Sequence, residues 1–210
     1  MVGYEVQEHT FSMAGTSWHI RTLLDGAQFW DPEGEAAAVG ISEEGWSHFG
    51  RIWPSGLVLA EVMGAAGGHG RVLEIGCGLA LAGLVAHRGL IDITVSDLHP
   101  LGEAFLLHNL ALNGLPPLRW RAVDWSTLHP ALGRFDTIIG SDILYEVQQP
   151  AQLARFIEHH GAPGGAVIVV DPGRGQHGRF TRLMEGLGYD CVQVKPAPLR
   201  RERVMTFRQR

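Results

Sequence analysis

The chain has 210 residues, of which 45% are hydrophobic and 19% are charged, a composition typical of a soluble globular protein. Its formal net charge of −5 argues against non-specific nucleic-acid binding, which needs a basic surface. No apolar run reaches the roughly 18 residues that a membrane span requires, and the first residues, MVGYEVQEH, do not have the pattern of a signal peptide. We therefore expect no nucleic-acid or membrane partner.

Cysteine and histidine usage points to a protein without metal or disulfide. Cys77 and Cys191 are the two cysteines, and we interpret both as reduced thiols of a cytoplasmic protein. The eleven histidines are scattered along the chain, without the spacing and the supporting carboxylate of a metal site. We predict no bound metal.

The first quarter of the chain reads as an extension. Runs rich in β-forming residues on either side of MAGTS predict a β-hairpin. Residues 26–50, with their glycines, acids and prolines, read as a loop with a short helix. WPSGLVLAEVMGAA then predicts a helix with Pro54 in its first turn. We divide the chain into residues 1–50, the hairpin and loop extension, and residues 51–210, the main domain.

Strands and helices alternate from Arg71 onward, which predicts a parallel sheet covered on both faces. The predicted strands are RVLEI, IDITVSD, LRWRAVDW, FDTIIGSD, GAVIVVDP, YDCVQVK and RRERVMTFRQ. No helix separates the last two strands, so we expect the sheet to finish with an antiparallel edge. The fold class is α/β, a doubly wound sheet of seven strands that binds its ligand at the carboxyl ends of the strands.

The turn RVLEIGCGLALAG has the form of a cofactor-binding site. A buried strand ends near Glu74, and Gly76, Cys77 and Gly78 lead into a helix of small residues. Leu81 stands where a dinucleotide site has its third glycine, which argues against NAD and a redox enzyme. Glycines allow close backbone approach, and the helix N-terminus can attract a carboxylate. A tight turn without any cofactor is the plain structural alternative.

The E-x-G-x-G form resembles motif I of S-adenosylmethionine-dependent methyltransferases, which have a Rossmann-like fold. Ala80 stands where the family commonly has another glycine, a mild departure. The resemblance implies cofactor binding by Glu74, Gly76, Cys77 and Gly78. Asp97, at the end of the second strand, matches the acid that binds the ribose hydroxyls. It implies S-adenosyl-L-methionine as the cofactor.

Four further segments narrow the resemblance to one branch of the family. GRIWPSGLVLA precedes the first strand, and VDWS, GSDILYE and DPGR follow the third, fourth and fifth strands. Together they are similar to the seven-stranded branch that contains many protein lysine methyltransferases, whose signature is D-x-x-Y. The resemblance implies that Trp53 lines the cofactor pocket, that Asp124 and Trp125 hold the adenine, and that Ser141 lies beside the cofactor. Core packing is the alternative role of both tryptophans.

Asp142 and Tyr145 carry the chemistry in this interpretation. A lysine must lose its proton before it attacks, which costs roughly 4–5 kcal/mol at pH 7. A nearby carboxylate raises the pKa of the amine, so Asp142 would help by capturing and aligning the side chain. Tyr145 would form one wall of the entry channel and could form a hydrogen bond with the amine. A helix cap and a buried ring are the structural alternatives for the two residues.

The acceptor remains open at this point. If the segment after Asp142 is helical, Glu146 shares its face and the two acids could hold an arginine substrate. Arg174, near Asp171, either shapes the substrate entrance or pairs with a nearby acid. We expect a protein lysine as the substrate; the alternatives are a small amine or N-heterocycle, a protein arginine, or a cofactor-binding scaffold without catalysis.

Overall fold

The computed structural model describes residues 3–66, 70–195 and 201–210. A two-stranded antiparallel hairpin, β1 (Val6–Met13) and β2 (Thr16–Leu23), precedes the main sheet. The main sheet contains β3 (Val72–Ile75), β4 (Ile93–Asp97), β5 (Arg119–Ala122), β6 (Phe135–Ser141), β7 (Gly161–Asp171), β8 (Tyr189–Val194) and β9 (Arg203–Gln209). The helices are α1 (Glu35–Ala38), α2 (Glu43–Trp46), α3 (Pro54–Ala66), α4 (Leu81–Arg88), α5 (Gly102–Leu112), α6 (Gln149–His160) and α7 (His177–Gly186). The loop of residues 26–50 thus holds two short helices where one was expected.

The main sheet has the strand order β5-β4-β3-β6-β7-β9-β8, and β5 to β7 run parallel in this order. This confirms the doubly wound seven-stranded sheet with an antiparallel last strand. β9 is antiparallel to both of its neighbours and lies between β7 and β8, one place inside the expected edge. The crossover through α7 leaves a gap beside β7, and the last strand folds back into it.

Each face of the sheet is covered by its own helices. Leu59 of α3 and Leu84 of α4 belong to one apolar cluster, together with Leu106 of α5. The other face packs against Phe156 of α6 and Phe180 of α7. β3 is fully buried between these layers, as its apolar residues Val72, Leu73 and Ile75 predict, and Glu74 is buried with them.

The hairpin packs on the main sheet's helical layer. Trp18 is buried in the cluster that also contains residues of α3, α4 and α5. The side chains of Asn109 and Asn113 in and after α5 accept hydrogen bonds from the backbone of β2, at Arg21 N and His19 N, over 2.8 and 3.0 Å. The division of the chain at residue 50 stays a prediction. Among the described helices, none has the length and apolarity needed to cross a bilayer.

The order of strands reverses at β3, because β4 lies on one side of it and β6 on the other. In an open α/β sheet this switch opens a crevice at the carboxyl ends of the strands. The glycine turn after β3 and the Asp142 segment after β6 both begin at this crevice. Residues 75 and 140, paired in register, bring the two segments side by side.

Candidate active site at the strand ends

The glycine turn is tight where it faces the neighbouring loops. Gly76 and Gly78 have positive φ values of 57° and 52°, which favour glycine. A Cβ on Gly76 would lie 2.9 Å from both the Trp125 ring and the Ile143 side chain. A Cβ on Gly78 would meet no atom within 4 Å among the described residues. The turn is therefore closed at Gly76 and open at Gly78.

Two carboxylates, one buried and one half-buried, organise this turn through backbone N–H groups. Glu74 is 2% exposed, and its Oε2 accepts a hydrogen bond of 2.7 Å from Gly83 N in α4. Asp97 accepts from Gly78 N over 2.7 Å and from His99 N over 2.9 Å. Burial raises the pKa of Glu74 to about 8 and also raises the pKa of Asp97. Glu74 thus anchors the helix behind the turn, while Asp97 holds the turn itself.

Cys77 and Ala80 complete the turn. Cys77 N donates to Ser96 O over 3.0 Å, and burial, with the nearby Asp97 and Glu74, raises the pKa of its thiol well above the usual range. Ala80 precedes α4 with φ 55°, a left-handed conformation that glycine adopts more readily. The alanine at this position therefore keeps the conformation of the turn.

The donors at the crevice fit S-adenosylmethionine. The open side of Gly78 leaves room for a ligand beside the N-terminus of α4. Trp125 Nε1 and Ser55 Oγ are buried and have no hydrogen-bond partner among the described residues. Gly56, next to Ser55 in the first turn of α3, lies against Ser141 and the start of α4. Within the described ranges, no group of three or more metal-ligating side chains is close enough to hold a metal.

The predicted adenine pair lies in a turn after β5. The carboxylate of Asp124 accepts hydrogen bonds of 2.7 Å from both Ser126 N and Ser126 Oγ. Its carbonyl accepts another from His129 Nε2 over 2.8 Å. Trp125 packs against Gly76, as the contact distance above shows. The structure therefore places Trp125 at the glycine turn, while Asp124 is engaged within its own turn.

His99 and Phe49 were missed by the sequence reasoning. Their rings stack at 4.2 Å with an angle of 8°, and His99 is 4% exposed. Burial lowers the pKa of His99 to about 4, so the imidazole is neutral at pH 7. The stack holds the 26–50 segment against the loop that follows Asp97. No sequence pattern pairs two residues so far apart in the chain.

Asp142 follows β6 with φ 54°, in the left-handed region, a conformation in which strain is often stored at functional sites. Its carboxylate accepts two hydrogen bonds from Arg174, 2.6 Å from Nε to Oδ1 and 2.9 Å from Nη2 to Oδ2. The Arg174 guanidinium also lies 5.7 Å from the centre of the Trp53 ring. Of the two expectations for Arg174, the structure shows the pair with an acid.

Tyr145 is 46% exposed, and its ring centre lies 6.1 Å from that of His48. Its backbone N–H and that of Glu146 donate to the side chain of Gln149, a buried residue that the sequence reasoning missed. The segment from Asp142 to this glutamine is not helical, so Glu146 does not share a helical face with Asp142. The proposed pair of acids for an arginine substrate is therefore wrong; the Glu146 carboxylate instead accepts from Gln148.

Asp171 lies at the end of β7 and is 1% exposed. Its Oδ1 accepts a hydrogen bond from Gly173 N over 2.7 Å, and burial raises its pKa. His177 Nδ1 lies 3.7 Å from the same oxygen. Asp171 therefore braces the base of the loop that carries Arg174.

Comparisons with known proteins identify the family of the chain. A family model described as lysine methyltransferase matches residues 35–185. The electron transfer flavoprotein beta subunit lysine methyltransferase of Xenopus laevis is 30% identical over 166 residues, which cover 75% of this chain and 63% of that protein. EEF1A lysine methyltransferase 3 of Mus musculus is 28% identical over 143 residues, covering 64% of this chain and 61% of that protein. The matches thus span less than two thirds of each relative.

A solved structure supports the fold. A 16S rRNA methyltransferase (RsmC) of T. thermophilus, in complex with AdoMet and guanosine, superposes with a TM-score of 0.67 at 15% identity and covers 100% of this chain and 52% of that chain. At this identity, the likeness concerns the fold. The family match covers well over half of the sequence, from the loop before α3 to the end of α7. The chain therefore belongs to the lysine methyltransferase family, and this membership implies S-adenosylmethionine as its cofactor.

Proposed function

We propose that this chain transfers a methyl group from S-adenosylmethionine to the side-chain amine of a lysine in a protein. One observation carries the proposal: the Asp142–Tyr145 segment lies directly on the glycine turn. Ile143, between the two residues, would touch a Cβ on Gly76 at 2.9 Å. A donor held at the turn would therefore lie next to the side chains that receive the acceptor.

The donor supplies an electrophilic methyl group, and the protein supplies position and charge. We assign its carboxylate to the turn from Gly76 to Gly78, including Cys77, on the open side of Gly78 beside the N-terminus of α4, with Glu74 holding α4 in place. We assign the ribose hydroxyls to Asp97. We propose that Asp124 and Trp125 bind the adenine, and that Trp53 and Ser141 line the wall of the cofactor pocket.

Asp142 would bind and align the amine, and Tyr145 would form one wall of its channel. Partial desolvation raises the pKa of the Tyr145 phenol, so the hydroxyl stays a hydrogen-bond donor at neutral pH. The proton of the amine leaves to water. Asp142 already binds one guanidinium through two hydrogen bonds, which keeps a protein arginine as the second candidate acceptor.

The first test is calorimetric titration with S-adenosylmethionine and S-adenosylhomocysteine, with NAD as the control. We expect micromolar binding of the first two and none of NAD. Labelled-methyl transfer is then assayed on an oligolysine peptide, on electron transfer flavoprotein beta subunit and on a cell lysate. Binding without transfer to any acceptor would favour the scaffold; a small-molecule product would favour the small-amine alternative.

The variant Asp142→Ala tests the assigned role. We expect transfer to fall below detection while binding of S-adenosylhomocysteine stays within a few-fold of wild type, because the carboxylate contacts the acceptor and not the donor. Loss of donor binding together with activity would contradict this role. Location in the cytoplasm also stays a proposal, supported by two free cysteines.

A further inference from the structure

The carboxylate proposed to receive the acceptor is already paired with a cation of the same chain. The Asp142 side chain is 10% exposed and that of Arg174 is 43% exposed. Both oxygens of Asp142 accept a hydrogen bond from the guanidinium. The ion pair in turn raises the pKa of Arg174, so the guanidinium stays charged throughout the working range of pH.

The surroundings hold Arg174 in this position. Gly173 and Gly175 on either side have φ values of 91° and 93°, so the loop turns sharply at the arginine. Asp171 binds the first of these glycines. The Trp53 ring lies beside the guanidinium, where a cation–π contact is favourable.

The pair changes the electrostatics of a lysine acceptor. A methyl group is transferred to the neutral amine, whose lone pair forms the new N–C bond as the bond to sulfur breaks. An unpaired carboxylate within about 4–6 Å shifts the pKa of a neighbouring cation upward by about 1–3 units. The guanidinium opposes this shift, because the paired charges nearly cancel at the position of the amine.

The pair still leaves Asp142 able to bind the amine. Each carboxylate oxygen has two acceptor positions, and Arg174 occupies one on each oxygen. The remaining positions can accept the N–H groups of a neutral amine. Alignment by a hydrogen bond is therefore kept while the electrostatic penalty on deprotonation is reduced.

We infer that Arg174 is a positioning residue that keeps Asp142 charge-balanced, so that the bound lysine loses its proton at a lower pH than it would beside an unpaired carboxylate. This inference rests on the proposed function. Other charged or titratable groups lie on the elements around the pair and contribute to the same field. They are Asp97 after β4, His48 and Arg51 before α3, Glu146 and Tyr145 after β6, Asp171 in β7, His177 and Arg179 in α7, and Arg203 in β9.

The test measures kcat against pH for wild type and for Arg174→Gln, with the oligolysine peptide as acceptor. We expect the midpoint of the rise in kcat to move up by about 1–2 pH units. At pH values well below the wild-type midpoint this lowers kcat by about 10- to 100-fold, and the difference closes above the midpoint of the variant. NMR titration of the peptide's labelled amines, bound with S-adenosylhomocysteine, gives the same shift without turnover.

Two further variants separate charge from structure. Arg174→Lys keeps the positive charge and should retain most of the wild-type midpoint. The double variant Arg174→Gln with Asp142→Asn is again neutral, and we expect its bound-amine pKa to return toward wild type, although its turnover stays low. Circular dichroism and donor binding show whether each variant is folded.

Other outcomes would overturn the inference. Equal loss of kcat at every pH, with an unchanged bound-amine pKa, would mean that Arg174 is only structural. Higher activity of Arg174→Gln at pH 7 with a lower KM would mean that Arg174 competes with the substrate for Asp142. Absence of transfer by wild type at every pH to the peptide, to electron transfer flavoprotein beta subunit and to lysate proteins, despite donor binding, would refute the proposed function itself.

Discussion

The two halves of the strand-end crevice hold their acids in different ways. After β3 and β4, the carboxylates of Glu74 and Asp97 accept hydrogen bonds from backbone N–H groups of the turn and of α4. After β6, the carboxylate of Asp142 pairs with a side chain, that of Arg174, whereas Asp171 at the end of β7 accepts from a backbone N–H as Glu74 and Asp97 do. Glu74 is 2% exposed, whereas 43% of the Arg174 side chain is open to solvent.

This difference indicates which half of the crevice can accept substitutions without loss of the fold. A carboxylate bound to backbone N–H groups is tied to the path of the chain, so a change there disturbs the fold as well as the site. A pair of side chains near solvent contributes little to stability, so it can be altered while the fold is kept. We call the segments at the ends of β3 and β4 the donor half of the crevice, and those at the ends of β6 and β7 the acceptor half. We therefore expect substitutions in the donor half to act on stability and binding, and those in the acceptor half to act on turnover.

Gly76→Ala should have the largest effect in the donor half. The left-handed φ of 57° costs an added Cβ about 1–2 kcal/mol, and the contacts of 2.9 Å with Trp125 and Ile143 add about 1–3 kcal/mol. We expect unfolding in urea to show a loss of about 3 kcal/mol, and calorimetry to show loss of donor binding. The control is Gly186→Ala at the exposed end of α7, where a Cβ meets no described atom within 4 Å. A similar loss in both variants would contradict the packing argument.

Glu74→Gln should change how stability depends on pH. The pKa of Glu74 is about 8 in the folded protein against 4.5 for the free side chain, so the unfolded state loses its proton first as the pH rises. Between pH 5 and pH 8 the free energy of unfolding of wild type should therefore fall by about 3 kcal/mol because of this group, and that of the variant should not. The amide oxygen of glutamine can still accept the Gly83 N–H. Equal slopes of unfolding free energy against pH in the two proteins would show that Glu74 is charged when folded.

Arg174→Gln should cost only about 1 kcal/mol of stability, because water can replace the exposed guanidinium beside Asp142. The matched control is Arg210→Gln, which removes the ion pair between Arg210 and Asp190. The two side chains of that pair are 64% and 66% exposed. We expect a smaller change there, together with unchanged turnover. A loss of several kcal/mol in Arg174→Gln alone would place this pair with the structural acids of the donor half.

Ala80→Gly should have the smallest effect. Glycine relieves about 1–2 kcal/mol of left-handed strain at φ 55°. The loss of the buried methyl group costs about 0.8 kcal/mol of stability. The greater conformational entropy of glycine in the unfolded chain costs about 0.5–1 kcal/mol more. We expect a net change below about 1 kcal/mol, measured by thermal unfolding, with donor affinity unchanged. A large gain in affinity would show that this departure from the family pattern had weakened the turn.

Local sequence was enough for most of the fold and for the positions of the candidate site. Buried strands such as Val72–Ile75 are mainly apolar, and the glycines and acids of the turn lie within a few residues of one another. The order of strands and helices then brings Asp97 and Asp142 to the same edge of the sheet, because parallel strands end together. The condition for Glu146 to share a helical face with Asp142 is not met, because Gln149 binds the backbone N–H groups of that segment in a non-helical conformation.

The sequence by itself determined the α/β class, the glycine turn, the D-x-x-Y pair and the resemblance to the methyltransferase family, because each depends on residues close together in the chain. Only the tertiary structure decided that Arg174 pairs with Asp142, that Phe49 stacks on His99 and that β9 lies inside the sheet edge. These are choices among distant partners of similar chemistry. They depend on which segments the packed helices bring into contact, and no local pattern of residues records that choice.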